Sequence, residues 1–297
     1  MLEAGLILSR FAHYSSVLVL FGAALFPLYS PLPVVPTFVK PYNRLLQLSA
    51  LSALISLIAW FEFTAATMAG DAHAMLDVSV LTVIIKTMSF GKLWLGRLGL
   101  VVFLLVIVPR QLSLFSYWLA PLLSALLLVS LAGTGHAQEP QVAGWQWHTV
   151  ADGVHLLAAG AWLGALWPLA FTLRTQNRNH IAALLLRFSA VGQIAVGVLF
   201  LSGVLNSWFL VDSFNQLVAT TYGKLLSLKI ALFLVMLGLA AANRFWITPE
   251  ITLSPLGNDD NVWLVRLRKH VVAEQLLGLF ILGLVSFLGT LQPAAIG

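Results

Sequence analysis

No cysteine occurs in the 297 residues of this chain, so disulfides and thiolate ligation are excluded, and His, Met and carboxylates remain as donors for any metal site. Charge is nearly as scarce. Asp, Glu, Lys and Arg make up 9% of the chain, against 60% hydrophobic residues. A soluble domain carries about 25% charged residues, which excludes a water-soluble globular fold here. Long polar stretches are missing too: the segments between apolar runs reach only about 20–25 residues, too few for a soluble domain of appreciable size. No basic segment precedes the first apolar run, which begins MLEAGLILSR with an acid at position 3. That run is expected to be retained rather than removed as a signal peptide.

What is there is a succession of apolar runs near residues 5–28, 44–68, 93–109, 114–133, 150–173, 184–210, 223–246 and 269–291. Lipid requires every backbone N–H and C=O to be satisfied internally, so such runs are read as helices, and about twenty residues span the hydrocarbon core. The sequence predicts an all-α polytopic membrane protein with eight transmembrane helices. Arg97 interrupts the third run, and the apolar stretch Val78–Ile85 ahead of it is too short to cross and is expected in the interface.

Basic residues give an orientation. Lys40, Arg44, Arg110, Arg174, Arg178, Arg187, Arg244, Arg266, Arg268 and Lys269 fall in alternate loops or at the adjoining helix ends, which marks those loops as cytoplasmic. The loops around 69–92, 134–149 and 211–222 are poorer in Lys and Arg and, with the helix ends beside them, carry most of the histidines. Both termini are therefore expected on the external side. The net charge of +5 is accounted for by topology and implies no nucleic-acid partner.

The chain resembles itself. His13 and Gly22 in HYSSVLVLFGAALFP align at the same interval with His155 and Gly164 in HLLAAGAWLGALWP, and Arg44 opens the second helix as Arg187 opens the sixth. Ser89-Phe90-Gly91-Lys92-Leu93 is similar to Thr221-Tyr222-Gly223-Lys224-Leu225, each followed at one interval by a basic residue, Arg97 or Lys229. Two parallel four-helix halves, residues 1–143 and 144–297, are the expected organisation. Such a repeat would turn His13 and His155 toward a shared axis, with Glu62 in the second helix matching Asn206 in the sixth to within one residue.

The strongest chemical signal is WHTVADGVHLL, where His148, Asp152 and His155, spaced by four and three, share one helical face. Two imidazoles and a carboxylate are a partial shell for copper, zinc or iron; read otherwise, they are interfacial polar groups meeting headgroups or loop carbonyls. Glu62, deep in a span, needs a partner, a metal or a proton. His136 in GTGHAQEP closes the fourth helix on the same side. Met68, His73 and Met75 in the loop MAGDAHAM offer thioethers suited to Cu(I) and an imidazole that extends the range to Cu(II), although Met also serves as a gap-filler. At the cytoplasmic ends, Glu274 is expected to pair with Arg187 or Arg244, and His180 and His270 to be solvated.

These motifs together resemble a known family. His148, Asp152 and His155 followed by Trp162 and Gly164, then Arg187-Phe188-Ser189, SGVLN at Ser202–Asn206, TYGKLLSLK at Thr221–Lys229 and AANR at Ala241–Arg244 are similar to the CopD/PcoD copper-resistance inner-membrane proteins, most strongly over residues 148–292. The resemblance implies an eight-helix bacterial inner-membrane protein that moves copper across the membrane with a periplasmic CopC/PcoC-type carrier, and it makes the external side the periplasm. Two readings stand. In the first, a transporter and not an enzyme, copper binds a periplasmic-leaflet site built from His13, Glu62, His148, Asp152, His155 and His136, while Met68, His73 and Met75 receive it from the carrier. In the second, a b-type haem protein passes electrons across the membrane, as helical bundles with axial histidines do. The inner leaflet offers only His270 for a second haem, which favours copper.

Overall fold

The computed structural model describes residues 1–30, 36–110, 114–132, 145–175, 178–210, 214–253 and 260–291, and among them the fold is helical with no strand. Two long helices open it, α1 (Leu2–Tyr29) and α2 (Pro36–Ala69). Gly70, at φ 68°, ends α2 in the left-handed region that glycine enters without a Cβ penalty. A 3-10 turn at Ala72–Met75, capped by the Asp71 carboxylate accepting from the His73 N–H at 3.0 Å, leads to α3 (Val78–Thr87), α4 (Ser89–Ile107) and α5 (Leu114–Val129). In the second half α6 (Trp145–Ala159) passes through a π-helical turn at Gly160–Gly164 into α7 (Leu166–Thr175). Then come α8 (Arg178–Leu210), the short α9 (Phe214–Ala219) and α10 (Thr221–Ala242), which passes through a second π-helical turn at Asn243–Ile247 into α11 (Thr248–Leu253). The last helix is α12 (Asp260–Leu288).

Among the described residues seven helical segments are long and apolar enough to cross a membrane: α1, α2, α4, α6 with α7, α8, α10 with α11, and α12. The remaining expected span, α5, is apolar but only 16 residues long. Its end coincides with the work of Arg97. That side chain, 1% exposed, donates from Nε to the Ser130 hydroxyl at 3.1 Å and from Nη2 to the Ser130 carbonyl. A guanidinium placed there satisfies carbonyls that lack an intrahelical donor and sits at the negative end of the helix dipole. The cation that interrupts one span thus caps its neighbour. Helix α12 begins well before its apolar run, because its charged residues stay helical, with Arg266 and Lys269 exposed and Arg268 turned onto α7. Arg266 lies over the Trp263 ring at 4.8 Å, and Arg268 Nε donates to the Leu173 carbonyl at 3.0 Å.

Helix α1 is the centre of the bundle, packed against α2, α5, α12 and the first π-turn. At the π-turn two glycines meet backbone to backbone: a Cβ on Gly22 would lie 2.3 Å from the Gly160 carbonyl oxygen, and one on Gly164 would lie 2.1 Å from that of Leu18. Helices in lipid use small residues for such close crossings. The second half is more open. Helix α8 packs on α6 and α10 on α12, and two cavities lie between α8 and α10. Chain order puts the starts of α1, α4, α6 and α10 and the ends of α2, α8 and α12 at one face, the face that the basic residues predict to be the outer one. Arg10 Nη1 ties the first helix to the last across that face by donating to the Gly289 carbonyl at 2.8 Å.

Candidate metal centre

His13 and His155 are both held by the helix that follows their own. On α1, His13 Nδ1 donates to the Ala53 carbonyl of α2 at 3.0 Å and lies 3.3 Å from the Ser56 hydroxyl. On α6, His155 Nδ1 lies 2.9 Å from the Ser202 hydroxyl of α8. Both hydroxyls already donate to the carbonyl four residues back, Ser52 or Val198, each at 2.6 Å, so each accepts from its imidazole. Nδ1 therefore carries the proton in both histidines, and Nε2 keeps the lone pair that a metal needs.

Their surroundings differ. The His13 ring is fully buried 5.7 Å from Trp60, and its Nε2 has no hydrogen-bond partner. The charged side chains packed on that Trp60 ring are both cations, Arg10 at 5.6 Å and Arg97 at 5.4 Å. A copper ion at His13 would meet two fixed positive charges in a low-dielectric setting. His155, half-buried, instead lines a cavity of ≈ 810 Å³ shared with Asn206 and Lys229. Asp152, one turn outward, lies within electrostatic reach of His148, Tyr222 and Lys229. His148, 8% exposed, sits one turn further out.

Helical rise separates His148 from His155 by about 10 Å, but Asp152 from either by only about 4.5–6 Å. Spacings of four and three put Asp152 on the same helical face as both imidazoles. Among the described residues no three His, Asp or Glu side chains come together closely enough to hold one ion between them.

The other expected residues are dispersed. Glu62 is half-buried on α2, Met68 and His73 are exposed and Met75 is half-buried beyond that helix, all at the outer end of the first half. His136 lies outside the described residues. His13 and His155 do not meet on a shared axis, since one engages α2 and the other α8. The reason is angular: Gly22 faces the other half, and nine residues at about 100° each put His13 on the opposite side of α1. At the inner end, Glu274 accepts from Asn243 Nδ2 at 2.7 Å rather than from a guanidinium; Arg187 Nη1 donates to the Tyr29 carbonyl at 3.4 Å and Arg244 Nη1 to the Ser189 hydroxyl. His270, expected to be solvated, is bonded through Nδ1 to Asn243 Oδ1 at 2.7 Å. Ser56, Ser202 and Asn243 were not singled out by their own chemistry, although the last two stand in the SGVLN and AANR motifs. Outside the spans, Asp77 caps α3 by accepting from the Ser79 hydroxyl at 2.6 Å and the Ser79 N–H at 2.8 Å, bonds that hold its carboxyl below the usual carboxylate range.

Residues 1–148 match the model of the copper resistance protein D-like N-terminal domain, and residues 182–288 match that of copper resistance protein D. A relative named copper resistance protein D, from Pseudomonas syringae pv. tomato, is 32% identical over 295 residues, 96% of this chain and 95% of the relative. The chain belongs to the copper resistance protein D family. Inner membrane protein YebZ of Escherichia coli (strain K12) is 29% identical over 293 residues, covering 96% of this chain and 97% of that protein. Copper transport protein CutJ of Bacillus subtilis (strain 168) is 36% identical over 163 residues, 51% of this chain and 29% of that protein. No solved structure matches the chain. Family and fold together make this a copper-related membrane protein of the all-α polytopic class.

Proposed function

We propose that the protein carries copper across the bacterial inner membrane, binding it in steps along the outer end of α6. The observation that carries this reading is His155 on the wall of the ≈ 810 Å³ cavity, its Nδ1 occupied by Ser202 so that Nε2 is free to bind. Imidazole serves both copper oxidation states, and the Asp152 carboxylate offsets the cation and Lys229 alike. Conduction needs sites that attract an ion yet release it. Two-donor stops at His148 with Asp152 and at Asp152 with His155 meet that demand better than a closed shell.

In this reading His13 holds α1 to α2 and does not ligate, because its neighbours are cations. Glu62, Met68, His73, Met75 and His136 belong to the outer mouth, where a periplasmic CopC/PcoC-type carrier delivers copper, and both termini are periplasmic. The names of the Pseudomonas and Bacillus relatives support copper as the cargo. The meeting of Gly22 with Gly164, equivalent residues of the two halves, supports a parallel repeat about an axis along the membrane normal. The test is copper binding and flux in purified, membrane-reconstituted His155→Ala. Unaltered binding and flux would sink the reading, and a Soret band at stoichiometric intensity in the unsubstituted protein would replace it with haem-based electron transfer.

A further inference from the structure

Toward the inner face a buried acid, an amide and an imidazole form a chain that the copper site does not use. Glu274 of α12, 2% exposed, accepts from Asn243 Nδ2 at 2.7 Å, and Asn243 Oδ1 lies 2.7 Å from His270 Nδ1. Asn243 opens the second π-turn, a distortion that re-aims side chains within a helix and recurs at functional sites. Glu274 and Asn243 line the second cavity between α8 and α10, ≈ 380 Å³, whose polar lining also includes Ser189, Gln193 and Arg244. Trp162, on the first π-turn and edge-on to Phe233 at 6.3 Å, forms part of the wall of this cavity and of the outer one that holds His155.

The charges around Glu274 select its occupant. Of the elements packed on α12, the second π-turn brings Arg244 into the same cavity; Arg174 of α7 and Glu250 of α11 are exposed. Lys224 and Lys229 of α10 belong to the outer half, as does Arg10 of α1, whose inner end contributes Tyr29. Arg244 repels a second metal cation but tolerates an acid that gains or loses a proton. The Asn243 amide can donate to the carboxyl or the carboxylate without turning over, and its oxygen can accept from His270 whether that imidazole is neutral or charged.

We propose that Glu274 is a proton-binding station on the inner cavity, linked by Asn243 to His270, and that copper movement is coupled to proton exchange there. This rests on the transport reading of the outer site. The step is a proton transfer alone: the O–H bond of Glu274 breaks, the proton passes to water in the cavity, and nothing is oxidised.

The experiment uses the full chain in liposomes with a trapped pH dye and external copper. Copper flux is expected to respond to an imposed pH gradient, and Glu274→Gln is expected to keep copper binding while reducing that response by about tenfold, the scale of ordinary coupling between sites. Infrared difference spectra over a pH titration are expected to show a carboxylic-acid band that is missing in Glu274→Gln. Flux indifferent to the gradient, or a gradient response that survives in Glu274→Gln, overturns the coupling. If the protein moves no copper at all, the transport reading fails, and the infrared band decides the proton site by itself: its presence supports the station and its absence overturns it. If Glu274→Gln does not fold, His270→Gln is read by the same two measurements, and an unchanged flux response and titration there overturn the proposal.

Discussion

In the first half, a histidine fixed by α2 is sealed in by Trp60 and two guanidinium groups; in the second, a histidine fixed in the same manner by α8 opens on a large cavity with Asp152 one turn away. The positioning device is shared and the charge around it is not. Where Arg97 is consumed in capping α5, its sequence counterpart Lys229 lines the cavity beside His155. The difference teaches that an imidazole at the right depth is not yet a copper ligand. The sign of the neighbouring charge and a path to the ring decide that.

The sharpest way to break this contrast is to remove each histidine. His155→Ala is expected to weaken copper affinity more than roughly a hundredfold, beyond the usual effect of removing a group that only orients a ligand. His13→Ala should leave affinity within about twofold while lowering thermal stability, because it empties a packed position and loses a buried hydrogen bond. Isothermal copper titration and thermal unfolding in detergent separate the two, and equal loss of copper in both variants would erase the distinction.

The two cations come next. Arg97→Met is expected to destabilise the protein by about 2–3 kcal/mol, since charge-assisted hydrogen bonds to the end of α5 are lost. Lys229→Met should instead tighten copper binding by roughly tenfold by removing a like charge from the cavity wall. A stable Arg97→Met, or a Lys229→Met that binds copper more weakly, would contradict the division of labour.

A smaller effect is expected at the serines. Ser202→Ala removes the hydroxyl that holds His155 Nδ1 and should weaken copper binding by about tenfold. Ser56→Ala should do little, because the Ala53 carbonyl still accepts from His13. Equal binding by both variants would show that ring orientation is set elsewhere. The smallest effect belongs to Asp77 in the first half. Its carboxyl titrates below the usual range in the folded protein, so its contribution is present above the unfolded value, about pH 3.9, and is lost as pH falls through the folded value. Amide exchange at the start of α3 should quicken only in that acidic window, and Asp77→Ala should exchange quickly at neutral pH as well.

The helical spans were legible because lipid allows few alternatives to a long apolar helix, and the short stretch before the third run appears as α3. The ends of α2 and α12 were not, since charged residues end an apolar run without ending a helix. The direction of each side chain was not readable either: helices apolar on every side give no periodic signal of which face turns inward. Two π-turns escaped the sequence for a related reason. They add a residue to a turn without changing composition, and the second is where Asn243, not Arg244, reaches Glu274. Charge alone suggested the guanidinium; the local winding selected the amide.

The crossing of Gly22 with Gly164 has a mechanical meaning. Backbone rests on backbone there, with no side chain between that could swing aside to absorb a displacement. The point behaves as a pivot set at a fixed distance: sliding one half past the other along the membrane normal is blocked, while rocking about the crossing is not. Helices α8 and α10 are the lever arms best placed to move, because α1 is mostly buried inside the bundle whereas α8 and α10 bury only a small part of their surface there.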